Sequence, residues 1–225
     1  MDTVRGSRGF TLIELLLSIT IMSMVFGVAT YAFSLFTNQW DGRLGRFDRA
    51  LADYQRFDLV ISALENAIPW VVRARDGQLG QYFLGRDEGL TVVTASPVFA
   101  DGGIAVIRVF RERDGAEDWR LVYEEAPLTE GPLVRDDQVL PFRYRLIVVS
   151  GASSVNFRYF GWPSADVRSA AMNFDQSAVR AWQTEFDGLK KGLQPEVIGV
   201  QVGGGEAFIA LPPRSDAVLG RLMVD

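Results

Sequence analysis

Apolar residues are concentrated in one long run near the N-terminus of the chain. No charged residue occurs from Leu15 to Trp40, a stretch of 26 residues made mostly of leucine, isoleucine, methionine, valine, phenylalanine and alanine. At 1.5 Å per residue, an α-helix of this length extends roughly 39 Å and exceeds a hydrocarbon core of about 30 Å. The pattern therefore predicts a membrane-spanning helix over residues 10–37.

A second pattern continues the helix beyond the membrane span. Apolar residues recur at steps of three and four, which is the spacing of one face of an α-helix. The residues of this stripe are Trp40, Leu44, Phe47, Leu51, Tyr54, Phe57, Ile61, Leu64 and Ile68. They predict an amphipathic helix over residues 38–68 that ends before Pro69, with Gly42 and Gly45 as a point where the two halves can hinge. We expect the stripe to pack against the protein's own sheet rather than against a partner helix.

After Pro69 the apolar residues alternate with polar ones, which is the period of β-strands. Turn residues such as Asp114-Gly115 separate the apolar segments, and several neighbours are close enough in sequence for antiparallel hairpins. The predicted strands are Gln81–Leu84, Gly89–Ala95, Gly103–Arg111, Asp118–Glu124, Leu140–Val149, Ser153–Phe160, Glu196–Val202 and Ala207–Leu211. The segment Ala165–Leu193 is predicted to be a long loop or a short helix. The patterns thus predict an α+β chain in which a long helix precedes a β-rich domain over residues 69–225.

Composition removes most kinds of catalytic chemistry. The chain contains no cysteine and no histidine, and its only lysines are Lys190 and Lys191. These absences exclude disulfides, thiolate nucleophiles, imidazole bases and nearly all zinc, haem and iron–sulfur sites. The net charge of -5 disfavours an electrostatic nucleic-acid binder. Most classes of enzyme are therefore excluded, and no cofactor or metal is predicted.

The remaining polar motifs have simpler structural interpretations. The glycines of Gly203–Gly205 predict a hairpin turn, because the following residues are strand-like and Pro212-Pro213 prevents a helix. The acid pairs Glu124-Glu125 and Asp136-Asp137 lack the alternating spacing of a calcium loop, so solvated turn acids are expected. The pair Lys190-Lys191 is expected to be surface charge.

Arginine alternates with aromatic residues in two segments, Phe142–Arg145 and Phe157–Phe160. Such a surface can stack on bases while guanidinium groups hold phosphates. Strand alternation, however, places Arg143 and Arg145 on one face and Phe142 and Tyr144 on the other. This is the pattern of a half-buried strand, so nucleic-acid contact is not the favoured interpretation.

The short polar segment before the apolar run contains Arg5 and Arg8, which would hold the N-terminus on the cytoplasmic side of a membrane. A secretory signal peptide has a shorter apolar region, a small-residue cleavage site and no acid, unlike this segment. A plain anchor leaves Glu14 unexplained, because a carboxylate in hydrocarbon costs about 2.5–3.5 kcal/mol. Glu14 is therefore expected to have a charged partner, unless it is only a capping acid three residues after Thr11.

The residues from Gly9 to Leu16, Gly-Phe-Thr-Leu-Ile-Glu-Leu-Leu, follow the basic leader and resemble the processing site of type IV pilins and type II secretion pseudopilins. In that family a membrane peptidase cuts after the glycine and methylates the new N-terminal amine. The resemblance implies cleavage between Gly9 and Phe10, loss of a leader of residues 1–9, and N-methylation of Phe10. It also implies that Glu14 meets the N-terminal ammonium of a neighbouring subunit in the filament.

The C-terminal half is similar to the minor pseudopilin J family of type II secretion. The matching segments are Val155–Trp162, Trp182 and Leu193–Val200, and the segment Phe57–Ile68 resembles the end of the family's helix. The resemblance implies a pilin-like α+β fold, with the long helix packed on antiparallel sheets. It also implies a non-enzymatic role in the tip complex that primes pseudopilus assembly for export of folded proteins across the outer membrane.

The implied partners are the minor pseudopilins I and K, the major pseudopilin, the prepilin peptidase and the inner-membrane assembly platform. The implied location is the bacterial inner membrane, with a single span and the C-terminal domain in the periplasm. Two alternatives stay open on the sequence. One is a minor pilin of a type IV or competence pilus, acting in adhesion or DNA uptake. The other is a single-pass periplasmic binding module whose N-terminus is never processed.

Overall fold

A long N-terminal helix, α1, precedes all of the strands. The computed structural model describes residues 11–100, 103–173, 177 and 179–212, with the backbone alone for residues 38–50 and 130. Helix α1 spans Leu12–Glu65 and continues through Gly42 and Gly45, where the sequence predicted a hinge. The chain divides into two compact units between Ala52 and Asp53. The first unit contains the apolar part of α1, and the second contains the end of α1 and all of the strands.

The second unit contains twelve strands among its described residues, together with two short helices and a single 3₁₀ turn. In chain order the strands are β1 (Val71–Arg73), β2 (Leu79–Gln81), β3 (Phe83–Arg86), β4 (Gly89–Thr94), β5 (Ala105–Asp114), β6 (Asp118–Pro127), β7 (Tyr144–Ala152), β8 (Val155–Gly161), β9 (Ala181–Gln183), β10 (Phe186–Asp187), β11 (Val197–Val202) and β12 (Gly205–Ala210). The 3₁₀ turn is Leu128–Glu130, and the helices are α2 (Ala165–Met172) and α3 (Gly188–Lys191).

The strands form three sheets, and every pair of neighbouring strands is antiparallel. The largest sheet has six strands in the order β10-β3-β4-β5-β6-β7. A four-stranded sheet has the order β12-β11-β8-β9, and β1 pairs with β2 in a small third sheet. The predicted α+β class, a long helix followed by antiparallel sheets in a pilin-like arrangement, is therefore confirmed.

The main core lies between the end of α1 and the inner faces of the two larger sheets. Its buried helix residues include Val60 and Leu64, which cluster with Ile107 of β5 and Tyr159 of β8. The hydroxyl of the buried Thr94 in β4 donates to the carbonyl oxygen of Ala63 at 2.7 Å and so ties the sheet to the helix. Removal of these apolar side chains from water supplies most of the stabilisation, at about 25 cal/mol per Å².

The amphipathic stripe packs as predicted only in its last part. Phe57, Ile61 and Leu64 contact the main core, and Ile68 belongs to a second cluster on the opposite side of the large sheet. Leu51 and Tyr54 are exposed on the helix surface. The side chains of the stripe before Leu51 lie outside the description.

The structure also corrects the predicted strands. The segment Ala165–Leu193 contains the predicted short helix but also the strands β9 and β10, and β1 was not predicted at all. The strand predicted at Leu140–Val149 begins only at Tyr144, because Leu140 and Phe142 pack against the second core before β7 starts. The alternation of apolar residues continues into the segment before β7, so the sequence predicted the start of this strand four residues too early.

Candidate functional site

Glu14 lies in the first turn of α1, where the sequence placed it. The carbonyl oxygen of Thr11 accepts hydrogen bonds from the backbone N–H groups of Glu14 and Leu15, at 3.1 and 3.2 Å. The Glu14 residue is exposed, as are the apolar residues around it. Arg5, Arg8, Gly9 and Phe10, the other predicted processing residues, lie outside the described part of the chain.

The helix behind Glu14 presents an apolar surface on all sides. The segment Leu12–Thr37 is long and apolar enough to cross a membrane, and none of it is buried inside the protein. Several of its hydroxyl groups bond to the helix itself: Ser18 donates to the Glu14 carbonyl at 2.7 Å, and Thr30 donates to the Phe26 carbonyl at 2.8 Å. These polar groups are therefore satisfied without water, which a lipid-facing helix requires.

A second candidate surface covers the outer face of the four-stranded sheet. Four aromatic rings lie there in a continuous row with two guanidinium groups between them, and we call this surface the aromatic row. Its members are Trp162, Arg180, Phe160, Trp182, Arg158 and Phe208. The ring centroid of Trp182 is 5.3 Å from that of Phe160 and 5.7 Å from that of Phe208.

The rings of the aromatic row can approach one another across β11 because that strand has a glycine, Gly199, at its centre. Gly199 pairs with Arg158 of β8 on one side and with Phe208 of β12 on the other. A Cβ at Gly199 would come 2.8 Å from Cγ of Arg158 and 3.2 Å from Cζ3 of Trp182. The Trp182 ring reaches across β11 toward Phe208 because Gly199 has no side chain. The Arg158 guanidinium carbon lies 4.3 Å from the Trp182 ring centroid, in a cation–π contact.

Both arginines of the row are paired with acids. Arg158 contacts Glu206 at 2.7 Å, and Arg180 contacts Glu196 at 2.9 Å. The row itself therefore carries matched charges. Two of its rings stay accessible, since 40% of Trp182 and 56% of Phe208 remain exposed, whereas Phe160 and Trp162 are half-buried.

The N-terminal segment matches one protein-family model. Residues 4–30 match the prokaryotic N-terminal methylation motif, a span that covers the predicted cleavage residues, Glu14 and most of the apolar run. The motif and the apolar helix support a type IV pilin-like protein. A motif of this type marks a substrate of the prepilin peptidase, and with the helix it supports anchoring in a membrane through the N-terminus. No curated protein matches the chain.

The two segments in which arginine alternates with aromatic residues, Phe142–Arg145 and Phe157–Phe160, do not lie in the same sheet. Tyr144 and Arg145 belong to β7 of the six-stranded sheet, whereas Phe157 and Arg158 belong to β8 of the four-stranded sheet. The inner-face residue Phe157 is buried in the core. The two segments therefore do not form one continuous stacking surface.

The prediction that Glu124 and Glu125 are solvated turn acids is wrong. Both lie within β6, and both are buried. The carboxylate of Glu125 accepts hydrogen bonds from the backbone N–H groups of Val98 (2.8 Å), Phe99 (3.1 Å) and Ala100 (2.8 Å). It also accepts from the Tyr123 hydroxyl at 2.7 Å, and burial, followed by this carboxylate, raises the pKa of Tyr123. Four donors thus replace the water that a buried carboxylate would lack.

Glu124 is part of an ion-pair network that runs across three strands. It accepts hydrogen bonds from Arg108 of β5 and from Arg145 of β7, and Arg145 also contacts Glu112 at 2.5 Å. Glu112 further accepts from Arg120 Nε at 2.6 Å. The hydrogen bonds from Arg120 and then Arg145 hold the pKa of Glu112 below its ordinary value.

Two other predictions about charged residues have mixed outcomes. Lys190 is an exposed residue paired with Asp187, as expected of surface charge. Lys191 is not simply surface charge, because its ammonium group donates to Pro163 O at 3.0 Å and to Gln183 Oε1 at 2.7 Å. It thereby links α3 to the segments on either side of α2. The predicted hairpin turn at Gly203–Gly205 is confirmed, with Val202 paired to Gly205.

Asp136 and Asp137 lie in the connection before β7, as the turn prediction required. Asp137 pairs with Arg135 at 2.9 Å, and that hydrogen bond holds the pKa of Asp137 below its ordinary value. Both residues are half-buried rather than fully solvated. In the part of the chain that the structure describes, no group of three or more acidic residues is placed to hold a metal ion.

Sequence reasoning missed the aromatic row. Trp162, Trp182 and Phe208 are far apart in the sequence, and Trp182 lies in a segment predicted as loop or helix. In the structure Trp182 is the middle residue of the strand Ala181–Gln183. A three-residue strand is too short for its alternation to be recognised.

Proposed function

We propose that this protein is a minor pseudopilin of a type II secretion system and belongs to the tip complex that primes pseudopilus assembly. The observation that carries the proposal is the methylation motif over residues 4–30, followed directly by an apolar helix long enough to span a membrane. The pseudopilin J-like segments, Val155–Trp162 and Leu193–Val200, supply β8 and β11, which are hydrogen-bonded neighbours in one sheet.

In this proposal the prepilin peptidase cuts between Gly9 and Phe10, removes residues 1–9 and methylates the amine of Phe10. The helix over residues 10–37 holds the mature chain in the inner membrane, with the sheet domain in the periplasm. The protein then acts by assembly rather than by catalysis. Its partners are the minor pseudopilins I and K, the major pseudopilin and the inner-membrane assembly platform.

Glu14 is the assembly residue in this proposal. A carboxylate in hydrocarbon costs about 2.5–3.5 kcal/mol. Two unit charges about 4 Å apart attract by roughly 4 kcal/mol at an effective dielectric near 20. The attraction between Glu14 and the N-terminal ammonium of a neighbouring subunit is therefore comparable with the cost of placing the carboxylate in hydrocarbon. The requirement that the charges meet also sets the register of helix docking.

The first test is the intact mass of the full chain recovered from membranes, with and without a co-expressed prepilin peptidase. We expect loss of residues 1–9 and gain of one methyl group only when the peptidase is present. Gly9→Val abolishes the change, whereas Gly27→Ala, a glycine change within the same helix where the new Cβ meets no atom within 4 Å, leaves it intact. An uncut chain in the presence of an active peptidase contradicts the proposal.

The second test is cross-linking of the processed chain in membranes that contain pseudopilins I and K. We expect cross-links to both, and a loss of at least tenfold in their yield for Glu14→Gln with normal cleavage. Ser18→Ala is the control, since it removes a hydroxyl one turn further along the same helix. Cross-links to type IV minor pilins in place of pseudopilins I and K would reassign the protein to a pilus.

A further inference from the structure

Among the described residues, β12 is an edge strand of the four-stranded sheet. In the β11–β12 hairpin, Val202 pairs with Gly205, Val200 with Ala207 and Ile198 with Ile209. The backbone bond from Leu211 N to Glu196 O, at 2.9 Å, continues this alternation. Residues 205, 207 and 209 therefore turn their backbone groups toward β11.

The intervening residues of β12 consequently turn their backbone groups away from the sheet. These residues are Glu206, Phe208 and Ala210, and no described residue pairs with that side of the strand. Their N–H and C=O groups form an unpaired edge to which another strand can hydrogen-bond. The side chains of the same three residues lie on the outer face, so the free edge and the aromatic row share Phe208.

The charges along the aromatic row indicate which kind of ligand can bind there. The pairing of Arg158 with Glu206 and of Arg180 with Glu196 leaves matched charges along the row. A polyanion such as nucleic acid gains little from guanidinium groups that are already paired. An uncharged segment that carries apolar or aromatic side chains fits the exposed rings of Trp182 and Phe208 better.

A longer edge strand, β7 of the six-stranded sheet, is a poorer template. Its pairing with β6 contains register shifts between Trp119 and Leu121 and between Leu121 and Val122. Such bulges protect an edge from further pairing. The β11–β12 register runs over six residue pairs without a break, and β12 contains neither proline nor lysine.

We propose that β12 is a docking edge for an extended segment of another protein, which adds to the four-stranded sheet as a fifth strand. The added strand lies about 4.8 Å from β12 and hydrogen-bonds to the backbone of Glu206, Phe208 and Ala210. Every second side chain of the segment then packs on the outer face beside Phe208 and continues the aromatic row. The proposal does not depend on N-terminal processing, so it stands or falls separately from the secretion role.

The test uses the full chain in lipid nanodiscs and a synthetic peptide of seven alternating threonine and phenylalanine residues with a lysine at each end. Binding is measured by titration calorimetry. We expect the peptide to bind the unmodified chain and Ala210→Ser equally. Ala210→Pro, which removes one outward N–H at the same position, should bind at least tenfold more weakly, and so should Phe208→Ala.

A second probe makes the test independent of any variant's folding. The same peptide with an N-methyl group on every residue keeps its side chains but has no backbone N–H group on either edge, so it cannot form a strand ladder, and we expect no binding. Equal binding of the N-methylated peptide, equal binding to Ala210→Pro and Ala210→Ser, or no binding of the unmodified peptide at millimolar concentration would each overturn the proposal.

Other occupants of the edge give different results. Self-association that Ala210→Pro abolishes would assign the edge to a second copy of this chain. Peptide binding only after removal of residues 213–225 would assign it to the chain's own end. Binding of a neutral N-acetylglucosamine tetramer that Trp182→Ala abolishes, without peptide binding, would assign the face to a sugar. Each of these three results overturns the proposal.

Discussion

The ring of Tyr159 in β8 lies directly over Gly85 in β3, where a Cβ would come 2.6 Å from Tyr159 Cζ. The Tyr159 hydroxyl is within hydrogen-bonding distance of the carbonyl oxygens of Arg86 (2.8 Å) and Gly89 (2.9 Å). Burial raises the pKa of this hydroxyl, so it remains a donor at neutral pH. The contact joins the four-stranded sheet to the six-stranded sheet, and it requires a residue without a side chain at position 85.

Gly85→Ala should therefore destabilise the sheet domain by about 1–3 kcal/mol, the usual cost of overpacking a core. Denaturant unfolding of the full chain, followed by tryptophan fluorescence, measures the change. Gly103→Ala is the control, because its Cβ would meet only Cγ2 of Thr129, at 3.9 Å. Equal stability of the two variants would show that the sheets adjust to the extra methyl group.

Removal of the Glu125 carboxylate should loosen the loop that it holds. Glu125→Ala removes the acceptor of the part-buried N–H groups of Val98, Phe99 and Ala100, and an unsatisfied group costs about 1–3 kcal/mol when water cannot reach it. We expect a loss of about 1–3 kcal/mol and faster amide hydrogen exchange at residues 98–100. Glu125→Gln keeps one acceptor oxygen and should lose less. Unchanged exchange in Glu125→Ala would contradict the assignment.

Gly199→Ala should displace the Trp182 ring from its position over β11. The new Cβ would lie 2.8 Å from Arg158 Cγ and 3.2 Å from Trp182 Cζ3, so both side chains must move outward. We expect a red shift of the Trp182 emission, isolated by subtracting the spectrum of the matching Trp182→Phe variant, and a loss of about 1 kcal/mol. Gly204→Ala, which has no atom within 4 Å of the new Cβ, should leave the emission unchanged.

Glu112 should make the sheet domain sensitive to acid. Its pKa in the folded protein lies below the ordinary value of 4.5 because Arg120 and Arg145 bond to the charged form. The stabilising contribution is therefore present above pH 4.5 and is lost as the pH falls through the lower folded value. Unfolding measured between about pH 7 and pH 3 should lose less stability on acidification in Glu112→Gln than in the unmodified chain. Parallel pH profiles would show that the network does not respond to Glu112.

Much of the fold follows from patterns that involve neighbouring residues only. The uncharged run from Leu15 to Trp40 and the steps of three and four behind it predict one long helix, and α1 spans Leu12–Glu65. Period-two alternation located most of the longer strands, and the glycines after Val202 located the last hairpin. These features depend on local geometry and on hydrophobicity, both of which can be read along a single segment.

The first and last residues of the strands were less predictable, because residues outside the strands also pack in the core. Leu140 and Phe142 continue the alternation of β7 but pack against the second core before that strand begins. The strands β9 and β10 are two or three residues long and exist because β8 and β3 supply their partners. Such short strands have no stability of their own.

The sequence by itself determined the long apolar helix, the methylation motif and the α+β class, because each depends on residues that are adjacent or one helical turn apart. Only the tertiary structure decided that Glu125 is buried and that Trp182 meets Phe208. Three of the four donors to Glu125 come from residues 25 to 27 positions earlier in the chain. Trp182 reaches Phe208 only because β8, β9, β11 and β12 form one sheet with Gly199 at its centre. Contacts of this kind depend on how strands pair, and the pairing is a property of the whole domain.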